Sequence, residues 1–140
     1  MDKIKEFIKA ICLDLFIPEP SIVYVDRFEQ SKTMRMAVDY DSRYIMIRKD
    51  VKIDLDSYFD LAHELRHIYQ METGDFSKDD YILRENTDLA TYNQQPLEVD
   101  AHAYAAIMMI KLFHVKPLWQ GFDPDTIMLI EERIKELLDD

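Results

Sequence analysis

The stretch that decides the fold is LDSYFDLAHELRHIYQME, residues 55–72. At about 100° per residue, Leu55, Tyr58, Leu61, Ala62, Leu65, Ile68 and Tyr69 gather on one face, while Asp56, Asp60, His63, His67 and Gln70 form a polar stripe on the other. Asp54 or Asp56 supplies an N-cap, and Gly74 stands where a left-handed C-terminal cap belongs. A helix is therefore expected from about Leu55 to Glu72, with one face packed and the opposite face lining something polar.

Downstream, residues 75–95 are polar, weakly periodic and long for a connection inside a compact domain, which predicts a functional loop or a short irregular helix bordering a cleft. Pro96 suits the first turn of a helix over PLEVDAHAYAAIMMIKLF, residues 96–113, which is apolar on nearly every side and so should be the central buried helix. Asp123 and Pro124 cap and open a last helix with Ile127, Ile130, Ile134, Leu137 and Leu138 in a stripe.

Upstream, Asp2 caps a first helix in which Ile4, Phe7, Ile8, Ile11 and Leu15 recur at helical spacing; it runs to about Phe16, and Pro18 and Pro20 stop it. Residues 21–26 (SIVYVD), 34–40 (MRMAVDY) and 44–48 (YIMIR) read as strands, the last two joined through a turn at Asp41-Ser42. The expectation is an α+β fold: a small three-stranded antiparallel sheet, a meander, with about four helices, in one domain over residues 1–140.

Composition narrows the function classes. With 140 residues and 48% hydrophobic content, the chain holds enough apolar material for one sizeable core. Its formal charge is −11, and its 17 Lys and Arg form no basic block, which argues against nucleic-acid binding. The acidic balance carries no functional weight beyond keeping molecules apart. Cys12 is the single cysteine, set among Ile8, Ile11 and Leu15; it reads as core and leaves no intramolecular disulfide. No stretch reaches the about 18 apolar residues of a membrane span, and the charge-interrupted N-terminus lacks a signal-peptide centre. A cytoplasmic location without membrane attachment is expected.

His63-Glu64-Leu65-Arg66-His67 is an H-E-x-x-H pattern inside the helix expected on independent grounds. One turn separates the two histidines, so both imidazoles leave the same face and can close on one Zn²⁺ at about 2.0–2.1 Å, with Glu64 beside the open position. There Glu64 can take a proton from a zinc-bound water, as general base. A catalytic zinc needs a third protein ligand, to be sought among Glu, Asp and His. Glu98 is the strongest candidate: it opens the most apolar helix between Leu97 and Val99, where an unpaired carboxylate would carry a large desolvation penalty. Ala101, His102 and Ala105 share its side, and the small alanines allow close approach of the metal-bearing helix.

Around these residues, Asp60 lies one turn before His63 and could orient a ligand imidazole through its free N–H. His102, one turn after Glu98, reads as a pocket or supporting residue, because a fourth ligand would close the catalytic position. Asp100 lies across its helix from Glu98, placed for a buried hydrogen bond to another element. Tyr92, Tyr104 and His102 are the candidate donors to a negatively charged tetrahedral intermediate. Met108, Met109 and Trp119 read as packing, and His114 as structural.

FDLAHELRH at residues 59–67, with Glu98-x-x-Ala101 and Tyr104-Ala105-Ala106, resembles the ImmA/IrrE type of minimal gluzincin metallopeptidase, a family with many phage and mobile-element members. Residues about 40 to 112 follow its order of small sheet, H-E-x-x-H helix and Glu-bearing helix, roughly half of the chain. The resemblance implies a zincin-like fold, His63, His67 and Glu98 as zinc ligands, Glu64 as catalytic base, and a peptide or protein as substrate. His102 stands where that family usually has Asn, and Arg66 replaces a small Gly, so that Arg66 is expected to narrow the cleft or present a cation to substrate. The rival reading is a non-catalytic, zinc-stapled adaptor of phage or mobile-element type that binds a protein.

Overall fold

The computed structural model describes residues 3–29, 32–39, 41–74, 81–83, 86–117, 119 and 121–139. Among them the chain forms α1 (Lys3–Leu15), β1 (Ile22–Val25), β2 (Met36–Asp39), β3 (Tyr44–Arg48), α2 (Leu55–Glu72), α3 (Leu89–Asn93), α4 (Pro96–Phe113) and α5 (Pro124–Asp139). The fold is α+β, as the alternation of periods predicts. Asp2, the expected cap of α1, lies outside the described residues, as do Tyr40 at the end of the second expected strand and residues 75–80 and 84–85 of the polar connection.

The sheet departs from the expected antiparallel meander. Strand order is β1-β3-β2, with β2 antiparallel to β3 but β1 parallel to it. The β2–β3 hairpin follows from its turn: Asp39 Oδ1 accepts from the amides of Asp41 (3.0 Å) and Ser42 (2.8 Å), and Arg43 enters β3 at φ 55°. Ten residues separate β1 from β2 in the sequence, enough for the chain to pass β3, and Phe28 among them is buried. β1 thus adds to the far edge of β3, in the parallel sense that crossovers permit. Central β3 sends Ile45 and Ile47 inward, opposite Val38 and Met36 of β2.

That inner face meets α1 and α2. Ile8, Ile11 and Leu15 of α1, Val38, Ile45 and Ile47 of the sheet, and Leu61, Leu65 and Ile68 of α2 form one core with Tyr104, Ala105 and Met108 of α4. Cys12 belongs to it, and burial pushes its thiol up to about 11. α2 has the bounds its periodicity predicts; Asp54 is the cap, accepting from the Ser57 amide at 3.1 Å, and Gly74 at φ 81° follows its end. α4 is buried nearly all round, and Ala101, Ala103, Ala105 and Ala106, none of which is exposed, let it lie close against α2 and α5. His114 ends α4 in the left-handed conformation at φ 58°. A fifth helix, α3, short and capped by Asp88, stands inside the polar connection. No helix among the described residues is long and apolar enough to cross a membrane.

Candidate metal centre

Two helices build the centre. His63 and His67 leave one face of α2 a turn apart, and Glu98 enters from the first turn of α4, where Pro96 at its start fixes the direction of entry. One ligand atom from each of the three side chains lies within 4.8 Å of the other two. Glu98 is fully buried at 0% exposure. Its Oε1 stands 3.0 Å from His63 Nε2, and its Oε2 stands 2.8 Å from His67 Nε2.

The second of these contacts is not a hydrogen bond. Although close to Glu98, His67 Nε2 is buried and has no hydrogen-bond partner among the described residues. An orphaned buried imidazole nitrogen facing a buried carboxylate is costly unless a cation joins them. The donor set fits a divalent ion: two imidazoles and a carboxylate are the ligands that zinc takes when a further position stays open. Electrostatics agree. Burial works against the charge on each imidazole, but Glu98, and for His63 also Glu64, more than offset it, holding both rings above the ordinary histidine range. Burial likewise disfavours the Glu98 carboxylate, which the two imidazoles nevertheless keep well below the ordinary carboxylate range. The cluster could hold a divalent metal such as Zn²⁺.

Glu64 lies beside this cluster, with Oε1 3.4 Å from His63 Nδ1 and its side chain 13% exposed. His102 is brought against His63, their ring centroids 4.4 Å apart, and its Nδ1–H donates to the Glu98 carbonyl at 2.7 Å. Burial and then neighbouring His63 push His102 down to about 3, so the ring is neutral and its Nε2 is an acceptor, not the donor that an anionic intermediate would need. Asp60 pairs with Arg35, just before β2, and burial raises its carboxyl to about 6 against the pull of that guanidinium. The outer nitrogen of His67 is met not by Asp60 but by Gln70 Oε1 at 2.8 Å.

Arg66 corrects the expectation of a substrate-facing cation. It is buried, grips Asp100 through Nε (2.7 Å) and Nη2 (3.0 Å), and lies over the rings of Tyr69 (4.4 Å) and Tyr104 (4.9 Å). Four positions from Ala62 on a helix puts it on the core side, where a guanidinium persists only because its fork and its faces are both occupied. Asp100 makes the buried bonds expected of it, to Arg66, Gln70 and Arg133. Tyr104 is turned away from the cluster and donates to Asp14 Oδ2 at 2.8 Å.

Two groups at the centre escaped the sequence reading. Tyr81 donates to Glu98 Oε2, and since a carboxylate only accepts, the 2.8 Å contact between Tyr81 and Tyr92 is a bond from Tyr92 to the Tyr81 oxygen. Tyr81 sits in the polar connection, where periodicity gives no direction. Gln70 was legible as part of the polar stripe but carried no motif to mark it.

Beyond His102 opens a cavity of about 470 Å³ walled by Phe59, Met109, Trp119 and Phe122, with Arg35 and Asp60 at its polar side. Phe122 meets the His102 ring edge-on at 5.0 Å and Trp119 at 5.7 Å. The aromatic cluster therefore joins the cavity to the metal cluster through one imidazole.

No protein-family model, curated protein or solved structure matches this chain.

Proposed function

We propose that the chain is a single-domain, gluzincin-type zinc peptidase, hydrolysing a peptide bond at the His63, His67 and Glu98 cluster with Glu64 as general base. The observation that carries the reading is the orphaned His67 Nε2, buried against Glu98 Oε2 at 2.8 Å inside an H-E-x-x-H helix. Family resemblance of the motif, with Glu98 in the first turn of the later helix α4, supplies the peptide as substrate class and the ImmA/IrrE type as the kinship.

His63, His67 and Glu98 would hold the ion, which when bound supplies Lewis-acid polarisation of a carbonyl and acidifies a water. Glu64, partly exposed beside His63, accepts the proton of the attacking water and passes it to the departing amine. Tyr81 holds Glu98 Oε2, with Tyr92 donating to Tyr81 behind it, so the carboxylate keeps its oxygens turned toward the two imidazoles. The aromatic cavity beyond His102 would receive a large apolar side chain next to the scissile bond.

Metal analysis of purified protein and of Glu98→Ala tests the site: about one zinc per wild-type chain, lost in the variant, is the expected result. A peptide-library digest of the same preparation tests the chemistry. Wild-type protein that holds zinc but cleaves nothing would favour the adaptor, and protein that takes up no zinc would sink both readings.

A further inference from the structure

We infer that Gln70 is a positioning residue: anchored by Asp100 and the Leu97 carbonyl, it fixes the His67 proton on Nδ1 and so leaves the Nε2 lone pair for a metal. The inference uses the metal-site reading only for its consequence, since the proton's place belongs to the metal-free protein.

An amide side chain has a donor end and an acceptor end, and its surroundings choose between the two orientations. Gln70 Nε2 stands 3.0 Å from Leu97 O and 2.8 Å from Asp100 Oδ2. Both partners are acceptors. A reversed amide would set its oxygen against two others in a buried site, at a desolvation penalty for each. The acceptor end must therefore face His67 Nδ1, 2.8 Å away, and only an Nδ1–H completes that bond.

Asp100 is in turn unable to rotate away from Gln70. Arg66 holds both of its oxygens, through Nε to Oδ2 at 2.7 Å and Nη2 to Oδ1 at 3.0 Å. Arg133 of α5 adds Nε and Nη2 to Oδ1 at 2.9 and 2.8 Å. The Arg66 guanidinium is itself fixed over Tyr69 and Tyr104. A chain of bonds thus runs from α5 through α4 to one ring nitrogen on α2. In the neutral ring, a proton held on Nδ1 leaves Nε2, which has no hydrogen-bond partner among the described residues, with a lone pair and nothing to donate toward Glu98.

Long-range proton–nitrogen NMR of ¹⁵N-histidine-labelled, metal-free protein, at a pH alkaline enough for neutral rings, reads the tautomer directly. The expected spectrum of the wild type shows His67 protonated on Nδ1. Gln70→Leu should lose that signature and bind zinc about 10- to 100-fold more weakly in a chelator competition. A wild-type spectrum with the proton on Nε2, or a folded Gln70→Leu that keeps both tautomer and affinity, overturns the inference. If Gln70→Leu fails to fold, the wild-type spectrum still decides. Wild-type protein that binds no zinc but shows the Nδ1 proton would defeat the metal reading and leave this one standing.

Discussion

Toward α4 and α5, the polar groups of α2 are closed into one set of bonds: His67 Nδ1 to Gln70, Gln70 to Asp100, and Asp100 to Arg66 and Arg133. Toward β2 and the aromatic cavity the contacts are sparser: Asp60 pairs with Arg35, and Glu64 makes a long contact of 3.4 Å to His63. The same helix therefore carries a rigid flank and a loose one, four residues apart. Rigidity on one side suits a ligand that must not move. Looseness on the other suits the role proposed for Glu64, a base that would reach a substrate and exchange protons with it.

The largest expected effect breaks the loose flank at its chemistry. Glu64→Gln keeps size and removes the base, so turnover should fall about 10²- to 10⁴-fold while zinc content stays at the wild-type level. Parallel metal analysis and peptide-cleavage rates check both halves; a fully active variant would remove Glu64 from the mechanism.

Next comes the rigid flank. Arg66→Met removes the guanidinium from a buried carboxylate, a class of change that destabilises by about 3–5 kcal/mol. Gln70 and Arg133 remain on Asp100, so the low end, about 3 kcal/mol, is expected in urea unfolding of the metal-free protein. A loss under about 1 kcal/mol would mean that Gln70 and Arg133 are enough to satisfy the Asp100 carboxylate without Arg66.

Both flanks were unequally legible in the sequence. The loose one announces itself: H-E-x-x-H has a fixed spacing, Asp54 and Gly74 bound the helix, and Glu98 stands out as a charge inside the most apolar stretch of the chain. Each signal is local. The rigid flank is built from side chains that meet only once α2, α4 and α5 have packed, so Arg66 read as a departure from the family motif and Arg133 carried no motif to mark it. The sheet repeats the lesson. Asp41-Ser42 revealed the β2–β3 hairpin because a turn is written in a few residues, whereas the edge of β3 that β1 joins is decided by a ten-residue crossover. Tyr81 was hidden for a third reason: an irregular segment has no period from which to infer a direction.

A smaller effect tests the apolar side-chain site proposed for the cavity beyond His102. Phe122 walls the cavity and meets His102 edge-on, but touches none of the three ligand side chains among its ring contacts. Phe122→Ala should raise KM and lower kcat/KM about 10-fold for peptides with a large apolar residue at the cleavage site, as expected for about 1–3 kcal/mol of lost apolar contact. Small-residue peptides should be affected less, and zinc content not at all. Equal losses across both peptide classes would place the substrate side chain elsewhere.

The smallest effect belongs to the outer end of the rigid chain. Arg133 binds Asp100 from α5, but its side chain is 33% exposed and so partly screened by water, while Arg66 holds the same carboxylate from within at 10% exposure. Arg133→Ala therefore removes a bond that Asp100 can replace in part with water, and about 1 kcal/mol of stability is the expected loss. Because Gln70 is still held by Asp100 Oδ2 and Leu97 O, the His67 tautomer and the zinc affinity should stay within about threefold of wild type. A larger fall in affinity, without matching destabilisation in urea, would show that the electrostatic pull of α5 on Asp100 reaches the metal ligand, and that the rigid flank extends to the protein surface.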